Sequence, residues 1–189
     1  MPVEKGRLAG MRRHFITAAC IVLASFAGQA KSQGPVGGTK SDAEDDIREV
    51  VIRHQMEEWA RNDEYQGAGQ GRQESAEAKQ LRHRVFFISI SDKDPSDGFM
   101  KRFQNFPRKV KKRSGALLPT PAGGWVEDRE THLPAVLFSA DEIQWTSASD
   151  VEVRGGLHCA SSCGHWDSFI VHLDGGKWKV IRVEMLEIY

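Results

Sequence analysis

Hydrophobic and polar positions in this chain follow two periods: a helical one in a single early stretch, and an alternating one through most of the second half. Ile47, Val50, Val51, His54 and Trp59 fall on one side of a helix predicted over about 42–61, opened by the capping box Ser41-Asp42-Ala43-Glu44. Arg48, Glu49, Arg53 and Glu57 occupy its other side. Residues 62–78, with Gly67, Gly69 and Gly71 among polar neighbours, carry no apolar period and read as a surface loop. Val85 to Ile90 is a strand run. Asp94-Pro95 then opens a short helix with proline at its first position, turns Phe99, Met100, Phe103 and Phe106 inward, and is closed by Pro107.

Lys109 to Arg113 reads as an edge strand with solvated lysines, and Leu117 to Gly124 as a proline- and glycine-rich loop. Strand runs follow one another from Trp125: 125–128, 135–139, 143–146, 151–157, 166–173 and 178–189. Helices first and strands afterwards predict an α+β fold, with the helices covering one face of a curved antiparallel sheet.

Composition adds a compartment. Met11-Arg12-Arg13-His14, an uncharged stretch from Phe15 to Ala27 and the small-x-small site Gly28-Gln29-Ala30 read as a signal peptide over 1–30. Its apolar stretch, about 20 Å as a helix, is shorter than the roughly 30 Å core of a bilayer, so no stable span is expected after cleavage. Thr17-Ala18-Ala19-Cys20 only loosely matches a lipidation box. Residues 31–40 form a flexible spacer, and 41–189 one domain. Loss of the leader removes four of 26 basic residues and one of 26 acidic ones, leaving 22 against 25. A nearly neutral secreted or periplasmic protein has no general attraction for nucleic acid, and the run Arg108 to Arg113 reads as a solvated edge.

The order of helix, Val85-Phe86-Phe87-Ile88, Asp94-Pro95-Ser96, a Phe-rich helix, Ile143-Gln144-Trp145, Val151-Glu152-Val153, Gly155-Gly156 and Asp174-Gly175-Gly176-Lys177-Trp178 resembles small exported bacterial proteins of unassigned function. Their shape is similar to the cone-like α+β fold of nuclear transport factor 2 and polyketide-cyclase relatives. The resemblance implies a pocket between the helices and a concave sheet, where enzymes of that fold place acid and base residues. It transfers no catalytic motif to positions here.

Candidate chemistry is sparse. Cys159 and Cys163 flank the turn of one predicted hairpin, close enough for a disulfide in an oxidising compartment. His158, Cys159, Cys163 and His165 form the alternative, a zinc-type set, although its ligands lack a second arm. A redox pair would want Cys-x2-Cys at a helix start. His54 lies on the apolar side of the long helix, as a core residue or as a general base partnered by Glu152, His172 or Glu184 from the sheet. Alternation puts Trp166, Ser168, Ile170 and His172 on one face and Asp167, Phe169, Val171 and Leu173 on the more apolar other, so His172 is expected outward.

Trp59 and Trp145 are candidates for lining a ligand cavity, and Trp178 for packing after the Gly-Gly turn. Neither a phosphate loop, nor Gly-x-Ser-x-Gly, nor His-Glu-x-x-His occurs, and no cofactor is expected. The expectation is a protein without catalytic activity that binds a small apolar molecule or a protein partner. The alternative is a small hydrolase or isomerase using His54 with a sheet carboxylate.

Overall fold

The computed structural model describes residues 40–68 and 85–189; the expected leader, Cys20 and most of the spacer lie outside the described residues, as does part of the expected 62–78 loop. Helix α1 (Lys40–Ala68) precedes β1 (Phe86–Ser89), a one-turn helix α2 (Asp97–Lys101) and β2 (Val110–Lys112). Two short strands, β3 (Ala116–Leu117) and β4 (Glu127–Asp128), lead to four long ones. These are β5 (Val136–Trp145), β6 (Asp150–Ala160), β7 (Cys163–Asp174) and β8 (Lys177–Ile188).

The main sheet has the order β2-β1-β5-β6-β7-β8, and β3 pairs with β4 separately. From β5 to β8 it is an antiparallel meander, whereas β1 pairs in parallel with both β2 and β5. The expected all-antiparallel sheet is therefore mixed, because the chain passes through α2 and through 113–135 between its early strands, room enough for same-direction crossovers. Bulges at Ala140/Glu142, Trp166/Asp167 and Ile170/Val171 curve the long strands. The first of them joins two predicted strands, 135–139 and 143–146, into one bent β5.

Across one face of this sheet lies α1. Ile47, Val51, Ile52 and Met56 from the helix are fully buried with Phe86, Phe138, Val151, Val153, Phe169 and Val171, which point toward it from alternate strand positions. Burying such side chains contributes roughly 1.5–3 kcal/mol each and is what fixes the layer. The helix begins at Lys40 and runs seven residues beyond the predicted Arg61, since a sequence stretch without an apolar stripe can continue a helix already nucleated by packing.

Proline is not the first residue of α2: Ser96 caps it, accepting from the Phe99 N–H at 3.1 Å, and Pro95 is buried ahead of the cap. Phe99 and Phe103 enter the core as expected, with Met100 and Phe106 partly buried against it. Residues 113–135 fold back over one end of the opposite sheet face, where Phe87, Ala116, Val126, Ala135 and Leu137 form a smaller apolar cluster. That cover changes Lys111. Rather than being solvated, its ammonium reaches the Asp128 carboxylate at 2.8 Å and Glu130 at 2.7 Å. Asp128 is 1% exposed, and although burial pushes its carboxyl up, Lys111 and the Glu130 and Thr131 hydrogen bonds hold it below the ordinary value.

Candidate functional site

Helical spacing on α1 and alternation on β7 bring one set of polar side chains to a common cavity. His54, Glu58 and Asn62 recur every four residues along the helix, with Gln55 and Trp59 beside them. His165, Asp167 and Phe169 project from β7 at every second position toward the same helix, joined by Leu157 from β6 and Val183 from β8. The cavity they line is open to solvent and holds about 190 Å³. Drug-sized sites typically run to roughly 300–1,000 Å³, so this one suits a small molecule.

Asp167 is the unusual member. Its residue is 5% exposed, and burial raises its carboxyl above the ordinary value despite the charge and hydrogen bond of His165 and the charge of His54. His165 Nε2 lies 3.1 Å from Asp167 Oδ2. The His54 ring meets Phe169 edge-on, centroids 6.2 Å apart, so His54 is held on the cavity wall by an aromatic contact. Gln55, 4% exposed, donates from Nε2 to the Ser139 carbonyl at 2.9 Å, while its Oε1 is buried without a hydrogen-bond partner among the described residues. Acceptors from Asp167 and Gln55 thus stand beside the apolar walls of Phe169, Leu157 and Trp59.

The carboxylates expected to partner His54 are elsewhere. Glu152 accepts from Ser168 Oγ at 2.6 Å on the opposite sheet face, and Glu184 is exposed beside Arg182 at 3.0 Å. His172 faces outward and pairs with Asp150 at 2.7 Å. Asp167 takes their place. The signal was present in the alternation itself, since Asp167 is the charged member of the otherwise apolar set Asp167, Phe169, Val171 and Leu173.

Of the two tryptophans, Trp59 lines the cavity, whereas Trp145 packs edge-on against Trp178 at 5.7 Å beside the core. Cys159 and Cys163 lie at disulfide distance, with Cα atoms 5.2 Å apart, across the Ser161-Ser162 turn between β6 and β7. His158 and His165 fall on opposite faces by alternation, so the four zinc-type residues do not converge. Among the described residues no group of three or more His, Cys, Asp or Glu is arranged to hold a metal ion, and no helix is long and apolar enough to cross a membrane.

This arrangement defines a helix-on-sheet α+β protein with an open polar-and-apolar cavity between the layers. No protein-family model, no curated protein and no solved structure matches the chain.

Proposed function

We propose that this protein binds a small, largely apolar molecule carrying a hydroxyl or amine in the cavity beneath α1. The observation that carries this reading is the buried Asp167 carboxyl, raised by desolvation, opening with the unpartnered Gln55 Oε1 onto a cavity with aromatic and aliphatic walls. Two acceptors set into an apolar wall fit a ligand that donates hydrogen bonds from one end and buries the other. The long helix lying across a curved sheet also supports reading the fold as a cone of the nuclear transport factor 2 type, exported through its leader. The thiol pair at disulfide distance is compatible with an oxidising destination.

A second reading is favoured by the His165–Asp167 pair: an isomerase or hydrolase in which this pair and His54 move a proton at the bound molecule. Asp167 would orient and charge-balance His165, and His54 would act from the facing wall. Titrating the purified protein with small aromatic alcohols and amines, read by the imidazole signals of His54 and His165, tests both. Saturable shifts that weaken about tenfold in Asp167→Asn, the loss expected for one hydrogen bond to a charged group, support binding. Chemical change of a bound compound that disappears in both Asp167→Asn and His165→Gln supports the second reading. No shift at either histidine with any of these compounds refutes the site.

A further inference from the structure

The opposite face of the same sheet carries a second cavity, of about 80 Å³, roofed by the fold-back of residues 113–135 and by the chain around Tyr189. Gly156 forms part of its floor, where a Cβ would overlap the His165 carbonyl and press on the Trp166 ring. Three buried polar atoms without a hydrogen-bond partner among the described residues belong to side chains lining it: Ser89 Oγ, Arg113 Nε and His158 Nε2. Ser89 is 2% exposed, and the His158 ring is fixed edge-on against Tyr189 at 5.5 Å. Buried polar atoms are normally satisfied, and here Arg113 Nε and Ser89 Oγ can both donate, as can His158 Nε2 in its Nε2–H form, so the three together mark an acceptor that belongs in the cavity.

We propose that this cavity is a binding site for a small monocarboxylate, with the carboxylate accepting from Arg113, Ser89 and His158 and its short alkyl group against Leu137, Leu118 and Trp166. Size and charge both narrow the ligand. One water needs roughly 10–15 Å³ of such space, so 80 Å³ holds a handful of heavy atoms. The Arg113 guanidinium supplies a planar donor set suited to a carboxylate. At the mouth, Asp92 lies 3.8 Å from Arg113 with its side chain 93% exposed, and its negative charge disfavours a doubly charged anion such as phosphate. Through alternation His158 faces this cavity and His165 the other, while Leu157 borders both, so the two sites lie on opposite sides of one hairpin.

The test is titration of the purified protein with acetate, propionate and inorganic phosphate, followed in amide correlation spectra. Saturable shifts at Ser89, Gly156 and His158 are expected with the carboxylates. Arg113→Gln should weaken binding by about tenfold or more, as loss of a charged hydrogen bond does, and Ser89→Ala by several-fold. Asp167→Asn, in the cavity beneath α1, should leave carboxylate affinity unchanged, which separates failure of this site from failure of the other. The proposal is overturned if no carboxylate gives saturable shifts, if phosphate binds more tightly than acetate, or if Ser89→Ala and Arg113→Gln bind like the unsubstituted protein. Where Arg113→Gln does not fold, Ser89→Ala decides alone.

Discussion

Two histidine–aspartate pairs involve strand β7, and their environments set the aspartates in opposite directions. His165 and Asp167 share the face beneath α1, where burial raises the Asp167 carboxyl. His172 at the other end of the strand faces outward and pairs with Asp150, whose carboxyl is lowered by the Ser147 hydroxyl first and by His172 next. Similar residues at similar distances thus do different things. On the outer face the carboxylate is comfortable and tidies the β5–β6 turn; under the helix it is held against its solvation preference. A carboxyl raised by burial at an open cavity is a candidate for function, whereas one lowered by turn hydrogen bonds on the outer face is not, which is why Asp167 rather than Asp150 is the one to test.

The largest effect that sharpens this contrast is on packing. Phe169 is 1% exposed on the helix side and touches His54, while its neighbour Ile170 is half-buried on the outer side. Phe169→Ala should cost about 3–5 kcal/mol in urea denaturation, by transfer and cavity terms together. Ile170→Ala should cost about 1 kcal/mol, in the range of partly exposed positions. Equal losses would mean that the two faces are packed alike, and the contrast would fail.

Next in size comes the Cys159–Cys163 pair, which ties the end of the hairpin where His158 and His165 part to opposite faces. The closed loop is short, so the chain-entropy account credits a disulfide there with only about 2 kcal/mol. Cys159→Ala with Cys163→Ala should lower stability by about that amount and leave the fold cooperative. Hydrogen exchange should then quicken at Ala160 to Gly164 before it does at Val151 and Val153. Uniform loss of protection along β6 would show that the pair does more than brace the turn.

Much of this architecture was legible in advance because it rests on periodicity. The strand runs, the α1 face carrying Ile47 and Val51, and the outward direction of His172 all follow from positions two, or three to four, apart. What escaped depends on contacts between segments far apart in sequence. Nothing local to Lys111 announces Asp128 beneath it, and nothing local to β1 announces parallel partners on both sides. His54 was legible as a candidate and Asp167 as the charged member of the apolar face of β7, but that the two meet at one cavity depends on how β7 lies beneath α1; Glu152 and Glu184 were plausible only while their faces were not known. The carboxylate cavity was illegible for the same reason, since Ser89, Arg113 and His158 come from three separate segments.

The smallest effect is also the most diagnostic, because the two aspartates should respond to pH with opposite signs. Asp167 has a folded-state carboxyl above its ordinary value of 3.8, so the unfolded chain ionises more readily and the charge weakens the fold at neutral pH. That penalty is relieved as pH falls through the raised value. Asp167→Asn should therefore melt above the unsubstituted protein at pH 7, with the two curves converging in acid. Asp150 has a carboxyl below 3.8, so its contribution is present above that value and is lost as pH falls through the lowered one. Asp150→Asn should melt slightly lower at pH 7 and likewise converge in acid. If Asp167→Asn instead loses stability at pH 7, the His165 pairing outweighs the desolvation of Asp167. The carboxylate would then be a structural partner of His165, and the main reason for placing function beneath α1 would be gone.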